Sequence, residues 1–228
     1  MFRTVLPDVC PICLARPVEN ALHDICAGCR DELSELPEPR CPGCGGALDG
    51  VLDQCRECLR QDNRVWDDAV SVFPFEGRAR EVIHGLKYQG RVWLASYLGT
   101  CLARNWAAHG SGSPDAAVPV PMHWFKRLRR GYNQSDLLVQ VFARQTRIPV
   151  EPLLVRSKRR GSQTRLDYRH RLENARGVFS LRRHCEVRER HIVLVDDVFT
   201  TGATLASAAA VLKEAGSARV SVATIARG

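Results

Sequence analysis

The apolar positions of residues 66 to 228 alternate between two spacings. The continuous apolar run at 192–195 is typical of a strand buried on both faces, and the mostly apolar segments 69–75, 116–122 and 220–226 are further strand candidates. Between them, apolar residues recur at helical spacing within 80–88, 92–109, 137–145 and 205–216. Strands that alternate with helices in this way predict an α/β domain with an open, mostly parallel sheet.

The apolar run at 192–195 is followed by the sequence DDVFTTGAT. Asp196 and Asp197 are expected at the carboxyl end of this strand, the edge at which open α/β sheets bind ligands. The next loop leads into a helix and consists of Thr200, Thr201, Gly202, Ala203 and Thr204. Small residues, hydroxyl groups and the N–H groups of a helix N-terminus suit a phosphate. The paired carboxylates in turn suit the hydroxyls of a sugar phosphate, although a strand-turn-helix corner capped by Asp and Thr is the alternative.

The first 65 residues hold eight of the ten cysteines, arranged as four C-x-x-C pairs: Cys10 and Cys13, Cys26 and Cys29, Cys41 and Cys44, Cys55 and Cys58. Two such pairs complete the tetrahedral shell of four thiolates around a structural zinc ion. We therefore predict a small double zinc-ribbon domain with two zinc ions. Sequential pairing is the simplest arrangement, and interleaved pairing stays open. Redox chemistry is disfavoured, because four copies stand outside any thioredoxin-like context.

The charge of the 228-residue chain is unevenly distributed. Its formal net charge is +8, but residues 126 to 190 hold 18 of the 33 Lys and Arg and only 6 of the 25 Asp and Glu. A local positive field suits a polyphosphate ligand or a nucleic acid. The sequence starts without the pattern of a signal peptide, and no apolar run reaches the roughly 18 residues of a membrane span. We expect a soluble, cytoplasmic protein.

Two basic stretches lie between the predicted strands at 116–122 and 192–195. The first leaves its strand through Pro121, Met122 and His123 and is predicted to reach the next helix as a basic loop. The candidate phosphate contacts in this loop are Arg127, Arg129 and Arg130, since guanidinium groups bind phosphate oxygens in pairs. A solvated basic turn is the alternative.

The second basic stretch, 156–179, is long and polar, which is typical of a mobile lid or a disordered segment. Its candidate ligand contacts are Gln163, Arg171 and Asn174. Lys87 and Tyr88, at the end of the helix predicted at 80–88, are compatible with a role in the same site and equally with a simple helix end. No residue stands out as a general base.

These motifs resemble known families. The sequence DDVFTTGAT is similar to the phosphoribosyl-pyrophosphate (PRPP) signature of type I phosphoribosyltransferases, a hydrophobic run followed by two acids and TTG-[AG]-T. Over nearly its whole length the chain resembles the ComF family of competence-associated proteins, also called GntX-like. The motifs that carry this resemblance are the four cysteine pairs, LKYxG at 86–90, VPVPMHW and RGYNQ within 118–134, Gln163, Arg171-x-x-Asn174 and DDVFTTGAT.

The resemblance implies a double zinc ribbon at 1–65 joined to a phosphoribosyltransferase domain at 66–228. It implies that Asp196 and Asp197 fix the ribose of PRPP, that loop 200–204 holds its 5-phosphate, and that magnesium accompanies the pyrophosphate. It also implies a bacterial protein that handles transforming DNA, with single-stranded DNA or competence proteins as possible partners. An enzyme of unknown acceptor, a PRPP-sensing or DNA-binding module and a structural adaptor all stay open.

Overall fold

The computed structural model describes residues 9–19, 24–60, 64–156 and 178–228. The helices are α1 (Ala27–Asp31), α2 (Arg56–Arg60), α3 (Gly77–Tyr88), α4 (Leu94–His109), α5 (Trp124–Arg130), α6 (Gln134–Thr146) and α7 (Ala203–Glu214). The strands are β1 (Asp68–Pro74), β2 (Ala116–Pro119), β3 (Leu154–Arg156), β4 (Phe179–Leu181), β5 (His191–Phe199) and β6 (Arg219–Arg227). Within these ranges no helix is both long enough and apolar enough to cross a membrane.

The four long apolar runs form one sheet in the order β1-β6-β5-β2, and all three strand pairs are parallel. The predicted α/β class is therefore confirmed. Val150 adds a further parallel bridge to Ala117, on the outer side of β2. The residues of β5 and β6 that face the core are almost fully buried, as expected for strands covered on both faces.

Strand β5 runs four residues beyond the predicted end. Its partner β6 continues to Arg227, opposite Phe199, whereas β2 stops at Pro119, opposite Val195. Asp196 and Asp197 therefore lie inside a strand that is paired on one side only. The open side, where β2 turns away from β5, is the place at which a cleft can form beside a parallel sheet.

The segment predicted as a basic loop after β2 is a short helix, α5. The side chain of His123 accepts a hydrogen bond from the backbone N–H of Phe125, which caps its start. Gly131 ends it in the left-handed conformation, with φ of 86°, and donates to the carbonyl of Arg127. These two caps stabilise a helix that buries none of its own side chains, so apolar periodicity gives no sign of it.

The cysteine-rich segment packs directly against the sheet and its helices. The backbone N–H of Leu36 donates to Val72 O, and the N–H of Ala69 donates to Pro42 O, so residues 36–42 cover the free edge of β1. Covering the edge in this way protects it from pairing with other chains. The domain boundary between residues 65 and 66 stays a prediction.

Candidate functional site

The eight predicted metal ligands form two groups in the structure. Cys10, Cys13, Cys26 and Cys29 make one tetrad, and Cys41, Cys44, Cys55 and Cys58 make the other, with the sulfurs of each within 4.8 Å of one another. This is the sequential pairing. Tetrahedral zinc with Zn–S bonds of about 2.3 Å requires sulfurs about 3.8 Å apart. The distances of 3.8 Å between Cys13 and Cys26 and 3.6 Å between Cys44 and Cys55 fit, so the tetrads fit two structural zinc sites.

Backbone amides around the sulfurs favour the thiolate form that zinc binds. The N–H of Cys55 donates to the Cys41 sulfur at 3.3 Å, and that of Cys58 donates to the Cys55 sulfur at 3.5 Å. In the first tetrad, the N–H of Ala15 is the largest cause that lowers the pKa of Cys13, to about 6. Burial raises the pKa of Cys29 to about 12. A divalent cation lets such crowded sulfurs lose their protons together.

The two acids on β5 have different environments. One oxygen of Asp196, Oδ1, accepts hydrogen bonds from the hydroxyl of Ser135 at 2.8 Å and from the N–H of Asp197 at 2.9 Å. Asp197 forms a salt bridge from Oδ1 to the ammonium of Lys87 at 2.8 Å. Its other oxygen, Oδ2, is buried and has no hydrogen-bond partner among the described residues. A buried carboxylate oxygen without a donor is poised to accept one from a ligand.

Burial and mutual repulsion affect the protonation of this pair. Desolvation is the largest cause that raises the pKa of Asp196, to about 7, and the charge of Asp197 acts in the same direction. Ser135, the N–H of Asp197 and Lys87 oppose the rise. Since one carboxylate disfavours ionisation of the other, the pair carries less than two negative charges at neutral pH. Two acids in one cleft, one of them with a raised pKa, are typical of a functional site.

A cleft of about 220 Å³ opens beside the acid pair. Its wall combines the acids with four cations from three different segments and with the turn that follows β2. The residues that line it include Lys87, Pro121, Met122, Lys126, Arg130, Arg156, Asp196, Asp197 and Thr204. A second cavity of about 430 Å³ adjoins it and shares Lys87, Tyr88, Lys126 and Arg130. The arrangement can bind a ligand that carries both hydroxyl groups and several negative charges.

The threonine loop, residues 200–204, connects β5 to α7 and includes the first two residues of that helix. Gly202 occupies the N-cap position of α7 with φ of 74°, in the left-handed region that favours glycine. A Cβ on this residue would lie 2.9 Å from the ring of Phe199 and 3.0 Å from that of Trp66. Thr200, Thr201 and Ala203 are exposed, and Thr204 lines the cleft. The loop therefore presents hydroxyls and the N-terminal amides of a 12-residue helix next to the acids.

The predicted basic residues differ in their positions. Arg129 lines the larger cavity and Arg130 lines both. Arg127 instead forms a salt bridge with Asp136 at 3.6 Å. It is not among the described residues that line the two cavities. Gln163, Arg171 and Asn174 fall outside the described residues. The ligand roles of all these residues stay predictions.

Three cleft residues have no place in the sequence-based prediction: Ser135, Lys126 and Arg156. Ser135 reaches Asp196 because Asn133 anchors the start of α6, donating to Val120 O at 3.1 Å. Arg156 ends β3, a strand of three residues, and packs over the ring of Phe179 from its partner β4 at 5.3 Å. Such a short strand has no detectable periodicity. The sequence gives a usable signal for Ser135, because its hydroxyl lies two residues before the helix predicted at 137–145.

Family comparisons agree with both parts of the chain. Residues 1–59 match the double zinc ribbon domain, and residues 129–228 match the phosphoribosyl transferase domain. With the cysteine tetrads and the parallel sheet, these matches define a zinc-ribbon protein with a phosphoribosyltransferase-like domain.

Relatives of similar length identify the family. The chain is 32% identical over 213 residues to "Competence protein F" of Haemophilus influenzae, covering 91% of this chain and 92% of the relative. It is 33% identical over 224 residues to "DNA utilization protein YhgH" of Escherichia coli, covering 95% and 96%. "Competence protein ComFC" of Bacillus subtilis is 26% identical, covering 85% and 80%. The chain belongs to the ComF family of competence proteins, and the resemblance drawn from its motifs is confirmed.

Proposed function

We propose that this chain binds PRPP with magnesium in the cleft beside Asp196 and Asp197, and that it acts in the handling of transforming DNA. The observation that carries the proposal is the unpartnered, buried Oδ2 of Asp197, a residue that lines the same cleft as Thr204 and the cations Lys87, Lys126, Arg130 and Arg156. A ribose hydroxyl supplies the missing donor. The names of the relatives support the role in DNA uptake and use.

Each part of PRPP has a complementary group in this arrangement. The 2- and 3-hydroxyls donate to the carboxylates of Asp196 and Asp197. The 5-phosphate accepts from the hydroxyls of loop 200–204 and from the N-terminal amides of α7, whose dipole favours an anion. The pyrophosphate faces the turn at Pro121 and Met122 and the charges of Lys126 and Arg130.

Magnesium enters this proposal with the ligand. Among the described residues, the groups of three or more metal-binding side chains are the two cysteine tetrads. Magnesium is commonly held by one or two carboxylates together with substrate phosphates, so an acid pair and a pyrophosphate suit it. In a transfer reaction the bond between ribose C1 and pyrophosphate breaks as C1 bonds to the acceptor. The cations of the cleft then face the charge that develops on the leaving group. The acceptor is left open.

The direct test is calorimetry of the zinc-loaded chain with PRPP and magnesium. We expect binding by the wild-type chain and loss of at least about tenfold in affinity for Asp196→Asn plus Asp197→Asn, because the hydroxyl acceptors lose their charge. Wild-type affinity should also rise between pH 6 and pH 8, since Asp196, with a pKa raised to about 7, becomes a stronger acceptor when it loses its proton. The double variant should lack this part of the pH dependence.

The matched control is Asp31→Asn plus Asp49→Asn, which replaces two exposed acids of the cysteine-rich segment and matches the charge change of the site variant most closely at pH 8. This variant should retain the wild-type affinity for PRPP and the wild-type dependence of that affinity on pH, including the part that comes from ionisation of the phosphates of PRPP. Equal affinities for the wild type and the site variant would refute the ribose site. Release of pyrophosphate when cell extract is added separates turnover from sensing.

Single-stranded DNA is a second candidate ligand, and helix α5 favours it. Trp124 and Phe125 are 55% and 54% exposed, and they stand among Lys126, Arg127 and Arg129. Exposed aromatic rings interspersed with cations can stack bases while the cations contact phosphates.

If α5 binds DNA, Trp124→Ala should weaken binding of an oligothymidine by about fivefold to tenfold, as expected for one lost stacking contact. Fluorescence anisotropy at several salt concentrations measures this effect, and the affinity should fall steeply with salt. Leu128→Ala removes an exposed side chain of the same helix that cannot stack, so it serves as the control. Equal losses from the two variants would argue against a stacking surface.

A further inference from the structure

Arg227, the last residue of β6, connects the second cysteine tetrad to the start of the threonine loop. Its Nη1 donates to the carbonyls of Thr200 at 3.0 Å and Phe199 at 3.4 Å. The guanidinium also lies 4.8 Å over the ring of Phe199. The start of the loop is thereby attached to β6 by a charged donor, which is a stronger contact than one between neutral groups.

The same guanidinium faces the cysteine tetrad on its other side. A Cβ on Gly46 would lie 3.3 Å from the Cγ of Arg227, 4.0 Å from its Nε and 3.3 Å from the sulfur of Cys44, so the arginine and this sulfur lie side by side. The Nε of Arg227 is buried and has no hydrogen-bond partner among the described residues. Four thiolates around Zn²⁺ would leave a net charge of about −2, which would attract the guanidinium of Arg227 from beside Cys44.

Trp66 provides a second connection between the same two regions. Its indole N–H donates to Gly43 O at 2.7 Å, inside the C-x-x-C turn of Cys41 and Cys44. Its ring packs edge to face on Phe199, with centroids 5.4 Å apart, and lies 3.0 Å from where a Cβ on Gly202 would be. A change in the Cys41–Cys44 turn therefore reaches both ends of the segment 199–202.

We infer that Arg227 is a positioning residue that couples zinc occupancy of the second tetrad to the shape of the phosphate loop 200–204. The inference rests on the proposed function, because the ligand whose affinity responds is the 5-phosphate of PRPP. With zinc bound, the tetrad holds the guanidinium between Cys44 and Thr200 O. Without it, the loop loses a fixed donor at its first carbonyl, and the ligand must then order the loop on binding.

The first tetrad offers a matched comparison. Arg78 donates to the sulfur of Cys29 at 3.7 Å and pairs with Glu81 at 2.8 Å and Glu32 at 3.3 Å. Arg78 therefore also contacts a cysteine sulfur. Its acidic partners, however, lie on α3 and directly after α1, away from the loop 200–204. The coupling is specific to the second tetrad.

The test compares Arg227→Gln, Arg227→Lys and Arg78→Gln in the full, zinc-loaded chain. For Arg227→Gln we expect faster hydrogen exchange of the amides at 200–206 and about tenfold weaker binding of PRPP with magnesium. Arg227→Lys keeps a cation near Cys44, but an ammonium cannot contact the tetrad and the carbonyl of Thr200 at the same time as a guanidinium can. This variant should therefore retain zinc against a chelator and still lose PRPP affinity. Arg78→Gln should change zinc release only at the first tetrad.

A structural role without coupling would shift zinc retention and PRPP affinity together in both Arg227 variants. That result, or loop exchange equal to that of Arg78→Gln, overturns the inference. In the wild-type chain, PRPP with magnesium should raise the zinc affinity of the second tetrad in competition with a chelator, as reciprocal linkage requires. If the wild-type chain binds no PRPP, the proposed function fails, while the exchange and zinc-release comparisons still decide the coupling.

Discussion

Cys41→Ser should lower the zinc content from two ions to one per chain and destabilise the whole protein, with the loss of several kcal/mol of unfolding free energy. Cys41 is fully buried, and its sulfur accepts from the N–H of Cys55. Binding of a structural zinc ion contributes on the order of 10 kcal/mol to the folding of a small zinc domain, so an incomplete shell forfeits a large part of this contribution.

The destabilisation should extend beyond the cysteine-rich segment. Residues 36–42 pair with the edge of β1, and Ser71 donates from its hydroxyl to Cys44 O at 3.1 Å. When the second tetrad opens, the sheet loses the cover of its edge. We therefore expect thermal unfolding of Cys41→Ser, followed by circular dichroism, to show one transition at lower temperature rather than an early melting of a separate ribbon.

Cys185→Ser is the control for this prediction. Cys185 is a half-buried cysteine that belongs to neither tetrad. The variant should keep two zinc ions and a transition near that of the wild type. Two results would contradict the prediction that the cysteine-rich segment and the sheet unfold together. One is that Cys41→Ser retains two zinc ions, and the other is that the ribbon melts while the sheet stays intact.

The parts of the fold that local patterns determine were predictable from the sequence. The four strands of the sheet are mostly apolar because both of their faces are covered, and this pattern identifies them without tertiary information. The C-x-x-C spacing identifies the eight metal ligands, but the sequence leaves interleaved pairing open, and the structure has the sequential tetrads. The acids were expected at a ligand edge because a strand's carboxyl end precedes its loop.

The rest depends on contacts between distant segments. The end of β5 at Phe199 is set by β6 and not by its own residues, and the strands β3 and β4 are each too short for periodicity. Ser135 and Arg156 reach the acid cleft through the placement of α6 and β3. Arg227 lies at the end of an apolar strand, where an exposed terminal charge is the ordinary expectation, and only the fold brings it to Cys44 and Thr200.

Lys87→Met should be the most destabilising substitution within the cleft. The side chains of Lys87 and Asp197 are only 16% and 6% exposed, and their charged atoms are 2.8 Å apart. Removal of the ammonium leaves a buried carboxylate with one oxygen already unpartnered. Breaking a buried pair from one side costs on the order of 3–5 kcal/mol. Chemical denaturation at pH 8 measures the change.

Two further variants test this explanation of the Lys87 effect. Lys87→Met combined with Asp197→Asn removes both charges and should recover most of the lost stability, giving a coupling of at least about 1–2 kcal/mol in the double-mutant cycle. Lys213→Met breaks a pair with Asp67 of similar length, 2.7 Å, but with side chains 26% and 38% exposed. Because water screens that pair, its loss should cost about 1 kcal/mol or less. Equal costs for Lys87→Met and Lys213→Met would show that burial of the acid pair does not set the electrostatics of the cleft.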